Sequence, residues 1–157
     1  DLSIRENIAL ALQARRGWAR PISRADQNAL ADRYISALDI RTTDREKPIR
    51  LLSGGNQQKA ILARWLATNP DFLILDEPTR GIDVGAHAEI IRLIEELCAN
   101  GMSLIVISSE LEELIAYSSR ILVLRDREHV AELTGDNVST ARIVDAIAAA
   151  QKETEDA

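Results

Sequence analysis

The chain has 157 residues, a length that fits one domain of ordinary size with a real core. Its composition is globular, 46% hydrophobic and 28% charged, and a net charge of −6 argues against a nucleic-acid surface, which needs clustered Lys and Arg. A single cysteine excludes an internal disulfide, and no apolar run reaches the length that a membrane span requires.

The first third reads as helical. Ile4, Ile8 and Leu12 share one face, and Leu30, Tyr34, Ile35 and Leu38 share another, with a break at Trp18-Ala-Arg-Pro21. Arg15-Arg16 is the only basic doublet and reads as a solvated face. A polar stretch from Thr42 to Lys47 leads through Pro48 to a helix expected from Gly54 to Leu66, with Ile61, Leu62, Trp65 and Leu66 on its buried side. Asn69-Pro70-Asp71 stops that helix.

From Phe72 onward the pattern alternates strands with helices. A strand over 72–75 and a loop through Gly85 precede a helix with Ile90, Leu93, Ile94 and Leu97 inward, ended by Asn100-Gly101. Cys98 reads as a small core residue on that helix. Then follow a strand over 103–107, a short helix carrying Leu111, Leu114 and Ile115, and a strand over 121–124. The turn Arg125-Asp126-Arg127 leads to a weaker strand near 129–133. The last helix is expected over 139–150, with Ile143, Val144 and Ile147 on one side and a polar, frayed tail from Gln151 to Ala157. Continuous apolar strands between helices predict an α/β fold whose sheet is covered on both faces.

Two motifs carry chemistry. Leu52-Ser-Gly-Gly-Asn-Gln-Gln places Ser53, Gly54 and Gly55 where a helix begins, and a helix N-terminus with unobstructed N–H groups attracts anions. Taken alone, Ser-Gly-Gly is an ordinary cap. Phe72-Leu-Ile-Leu-Asp-Glu-Pro-Thr79 runs an apolar strand into Asp76 and Glu77, the pairing that suits one carboxylate on Mg²⁺ and another on water.

Together these residues resemble the signature and Walker B segments of ABC ATPases, and the likeness extends from the first helices to about Val130. The resemblance implies an α/β, P-loop NTPase-like fragment, a helical subdomain followed by a mainly parallel sheet with flanking helices. It implies three parts: residues 1–50 facing a permease, 51–134 carrying the signature helix and the Walker B half, and 135–157 forming the C-terminal helix and tail. It assigns Ser53, Gly54, Gly55 and Gln57 to the γ-phosphate of ATP held by an opposing domain, Asp76 to Mg²⁺, and Glu77 to general-base duty on the attacking water. Asp83 falls in the D-loop, which touches the partner domain. Here the chain has Arg80-Gly81-Ile82-Asp83 where Ser-Ala-Leu-Asp is usual, so the aspartate is kept and its lead-in is not.

Ser108-Ser109-Glu110 departs further. Ser109 stands where the family places a switch histidine, and serine carries no positive charge. His87 and His129 lie outside that motif. The resemblance therefore implies a weakened or regulatory site on this domain's own Walker B. No Gly-x-x-x-x-Gly-Lys-Ser/Thr occurs, and Lys47, Lys59 and Lys152 sit in no glycine loop, so the chain alone should not be a competent ATPase. The start at Asp1 reads as a cut through a longer protein.

Gly-Gly-Asn-Gln-Gln-Lys with Asp-Glu-Pro-Thr-Arg-Gly-Ile-Asp-Val-Gly resembles the second ATPase half of tandem-domain bacterial monosaccharide importers, and the run from His87 through Glu113 looks closest to the galactofuranose type. That implies permease subunits and another nucleotide-binding domain as partners, a periplasmic sugar-binding protein indirectly, and a peripheral place on the cytoplasmic face of the inner membrane. Two alternatives stand beside it. One is a degenerate regulatory domain that only supplies its signature in trans. The other is a soluble ABC protein of translation or chromosome maintenance, which the acidic charge and the lack of sustained heptads before Leu52 oppose.

Overall fold

The computed structural model describes residues 1–155, with side chains described through residue 149. The elements are α1 (Ile4–Arg16), α2 (Arg24–Ala37), a 3₁₀ turn, α3 (Gly54–Leu66), β1 (Phe72–Asp76), α4 (Val84–Ala99), β2 (Ser103–Ile107), α5 (Leu111–Tyr117), β3 (Arg120–Arg125), β4 (Glu128–Thr134) and α6 (Thr140–Glu155). The α/β class and the order of elements match the expectation. The chain divides into two compact units, Asp1–Ile105 and Val106–Ala157.

In the first unit α1 begins with a reciprocal cap. Ser3 Oγ accepts from the Glu6 N–H at 3.2 Å while the Glu6 carboxylate accepts from the Ser3 N–H at 2.8 Å, satisfying two donors that a helix start leaves unpaired. Helix α1 packs on α2 and α3, burying Ile4 and Ile8 completely against Ala31, Ala60 and Ala63. Each such isoleucine contributes roughly 1.5–3 kcal/mol through burial. Polar ties fix the three helices in register: the Arg64 guanidinium donates to Asn7, and Tyr34 Oη donates to the Leu66 carbonyl at 2.7 Å. Arg5, itself buried, pairs with Glu46 at 2.8 Å and so anchors the segment after α2.

The buried side of α3 is narrower than the periodicity predicted. Leu62 and Leu66 are in the core with Lys59, Ala60 and Ala63, but Ile61 and Trp65 are 38% and 49% exposed. Close packing against α1 favours the alanines, which leaves the larger pair on the flank. Cys98 is also exposed, because the stripe of α4 runs through Ile90, Leu93, Ile94 and Leu97 and leaves it outside.

Strands β1 and β2 are hydrogen-bonded neighbours with α4 between them in sequence. Leu73 and Leu75 pack on the core, whereas Phe72, Ile74 and Ile105 are exposed. The sequence expectation of two covered faces holds for one face among the described residues.

The second unit is built on the β3–β4 hairpin, a two-stranded antiparallel sheet of its own where the sequence predicts part of a mainly parallel one. Asp126 and Arg127 form its two-residue turn with φ of +50° and +71°, the mirror-image turn geometry that matches strand twist. A bulge at Val130 shifts the register between Val123 and Leu124. Ile121, Val123 and Ile143 form the small core, with Leu122 and Leu124 turned outward. On α6 the expected stripe is corrected: Ile143 is buried and Ala146 joins it, while Val144 and Ile147 are exposed. The helix continues past residue 150 to Glu155, and Asp156 and Ala157 lie outside the described residues.

Candidate functional site

Helix α3 starts at Ser53, whose backbone is extended (φ −61°, ψ 157°) and whose side chain makes no capping bond to the helix. Its hydroxyl instead accepts from Asn56 Nδ2 at 2.8 Å. Helix α4 starts nearby with a true cap, Asp83 Oδ1 accepting from the Ala86 N–H at 2.9 Å. The two helix starts meet closely. A Cβ on Gly54 would touch Ile82 Cγ2 at 3.5 Å, and one on Gly55 would lie 2.3 Å from Ala86 Cβ. Only glycine permits that second approach.

Between them lies a polar cavity of about 110 Å³ lined by Arg41, Ser53, Gly55, Asn56, Asp83 and Glu89, among others. Of the residues predicted from sequence, Ser53, Gly55 and Asp83 come together here, and Gly54 borders the same loop. Gln57 does not line the cavity; its amide donates to the Leu52 carbonyl at 2.9 Å. Arg41, Asn56 and Glu89 escaped the sequence reading. Glu89 joins Arg41 and Lys59, each at 2.9 Å, and the Lys59 hydrogen bond holds its carboxyl below the usual carboxylate range, with Lys59 and Arg41 charges adding to the effect. Only Asn56, inside the motif, carried a local signal.

The carboxylate pair sits at the tip of β1. Glu77 has φ of +47°, a left-handed conformation uncommon for a side-chain-bearing residue, and a turn from Glu77 to Arg80 is closed by the Arg80 N–H on the Glu77 carbonyl at 3.2 Å. Pro78 supplies the fixed φ such a turn favours at its second position. Asp76 is exposed and lines a second, more apolar cavity of about 170 Å³ with Gln58, Ile61, Trp65, Ile74 and Pro78. Ile61 and Trp65, the pair left off the core, face this cavity. Among the described residues no group of three or more His, Cys, Asp or Glu could hold a metal ion. Two adjacent carboxylates nonetheless suit Mg²⁺, which keeps several waters and takes few protein ligands. Ser109 belongs to the second unit and is exposed two residues beyond β2.

The glycine-bearing helix start and the two carboxylates at a strand tip lie in a fold shared with solved ATP-binding cassettes. The sequence profile described as ABC transporter matches residues 1–80, and the chain belongs to that family. It is 65% identical over 147 residues to the galactofuranose transporter ATP-binding protein YtfR of Escherichia coli (strain K12), covering 94% of this chain and 29% of that protein. It is 51% identical to the fructose import ATP-binding protein FruK of Bifidobacterium longum (strain NCC 2705), again over 94% of this chain and 29% of the relative. The chain thus spans under a third of the length of these curated relatives. Among solved structures, the ATP-binding cassette MJ0796 in a dimeric post-hydrolysis state with ADP and Pi superposes with a TM-score of 0.71 at 26% identity, covering 85% of this chain and 56% of that one. The cassette MJ1267 shares the fold, with a TM-score of 0.77 at 21% identity, over 93% of this chain and 62% of that one. No helix among the described residues is long and apolar enough to cross a membrane.

Proposed function

We propose that these residues form part of the second nucleotide-binding domain in the ATP-binding subunit of a bacterial carbohydrate importer. The observation that carries this reading is the convergence of Ser53, Gly55 and Asp83, from two helix starts, on one polar cavity. A terminal phosphate offered there meets the Ser53 hydroxyl and the positive end of α3. The ATP so engaged is held by an opposing domain, so the contact works in trans and links nucleotide to closure of the two domains. The importer names of relatives as similar as 65% support a sugar as cargo, read by other subunits.

On the domain's own side, Asp76 supports Mg²⁺ and Glu77 orients and deprotonates the attacking water. Bound there, Mg²⁺ would neutralise charge developing on the phosphate oxygens. Phosphoryl transfer depends chiefly on positioning, and the turn that sets Glu77 is a positioning device. Permease subunits engage the helical segment near residues 1–50, at the cytoplasmic face of the membrane. These 157 residues hold no Gly-x-x-x-x-Gly-Lys-Ser/Thr loop to cradle a nucleotide's phosphates, and we infer that the chain alone does not hydrolyse ATP.

Ser109 favours a second reading, in which this domain is regulatory and only lends its signature. Glu77→Gln in the intact subunit separates the two. Loss of a general base lowers ATP hydrolysis by about 100-fold or more with ATP binding retained; unchanged hydrolysis favours the regulatory domain.

A further inference from the structure

The hydrogen bonds around Ser53 fix which way its hydroxyl can act. The backbone N–H of Arg41 meets the Asn56 side chain at 2.7 Å, and a backbone N–H can only donate, so the facing atom is the amide oxygen. The amide is thereby oriented without ambiguity. Its other end, Nδ2, meets Ser53 Oγ at 2.8 Å and can only donate to it. Ser53 Oγ is therefore an acceptor toward its own helix, and its hydrogen is left to point elsewhere. A serine in this position ordinarily turns its oxygen onto a backbone N–H of the first turn, and Ser53 makes no such bond.

The donor that orients Asn56 is itself pinned. Arg41 Nη2 pairs with Glu89 Oε1 at 2.9 Å, and Glu89 Oε2 pairs with Lys59 Nζ at 2.9 Å. Lys59, almost wholly buried on α3, also donates to the Asp39 carbonyl at 3.0 Å. Residues 39–41 are thus held by α3 on one side and by α4 on the other, the latter being the helix that Asp83 caps.

We propose that Asn56 is a positioning residue that presents the Ser53 hydroxyl outward as a hydrogen-bond donor to a phosphate oxygen, with the Arg41–Glu89–Lys59 ion pairs holding Asn56 in place. The proposal rests on the reading of Ser53 as a terminal-phosphate contact. It makes α4 and the signature serine one mechanical unit: a displacement of Glu89 reaches Ser53 through Arg41, whose backbone N–H holds Asn56, and through the Asn56 amide.

A double-mutant cycle in the intact subunit tests it, using Ser53→Ala, Asn56→Ala and the pair. Each single change lowers kcat/KM for ATP about 10-fold, the share of one hydrogen bond to a charged acceptor, and the double variant falls within about twofold of Ser53→Ala. Binding of ADP, which lacks the terminal phosphate, and the melting temperature both stay unchanged. Multiplying losses, equal losses for ADP, or a neutral Asn56→Ala beside a damaging Ser53→Ala overturn the positioning role. A neutral Ser53→Ala instead removes the phosphate contact itself, and the proposal with it.

Discussion

Gly55 on α3 and Ala86 on α4 leave no room for a second methyl group between them: a Cβ on Gly55 would stand 2.3 Å from that of Ala86. Because Ala86 is also the residue whose N–H Asp83 caps, this one contact sets the distance between both helix starts at the candidate site.

Gly55→Ala forces those starts apart. Overpacking of this kind costs about 1–3 kcal/mol, and urea unfolding of the chain should show that loss. Pairing the change with Ala86→Gly opens the space again and restores much of the stability. An unaffected single variant contradicts the close approach.

Acid should weaken the fold through three carboxylates. Glu46 is held below the ordinary range chiefly by its hydrogen bond from Arg5, Glu89 by that from Lys59, and Glu6 by that from the Ser3 backbone. A group depressed in the folded state contributes fully above its unfolded pKa, about 4.3 for Glu, and that contribution is lost as pH falls through the folded value. Melting temperature is therefore flat from neutrality to about pH 5 and drops below about 4.3, and Glu89→Gln makes the drop shallower. All three side chains are partly exposed, so added salt also trims the effect. A pH-independent melt contradicts these pairings.

Ser109→His should raise ATP turnover of the intact subunit by roughly 10-fold, the low side of what one charge-assisted hydrogen bond to a phosphate oxygen contributes. The expectation follows from the serine in Ser108-Ser109-Glu110 where the family carries histidine. Steady-state hydrolysis decides it, and unchanged turnover counts against a weakened site.

Legibility in the sequence follows the range of the interaction. The span of α3, Gly54–Leu66, was readable because glycine at one end and Asn-Pro at the other act locally. The strand tip at Asp76 was readable for the same reason. A 3.6-residue stripe gives a direction but not a width, so Ile61 and Trp65 read as buried; the width depends on how closely α1 approaches. Arg41 and Glu89 were invisible because they are 48 residues apart and meet only in the fold. The antiparallel β3–β4 pairing hid behind an apolar run, since Leu122 and Leu124 look like core residues until one face proves exposed.

The proposed function gives residues 1–157 the surface that closes on ATP and no phosphate loop to hold it. Calorimetric titration of Mg²⁺-ATP into residues 1–157 tests that most directly. No saturable heat is expected, with binding recovered in the intact subunit. Saturable binding by the chain alone would contradict it, and would mean that Ser53, Gly54, Gly55 and Asp76 capture the nucleotide without a phosphate loop.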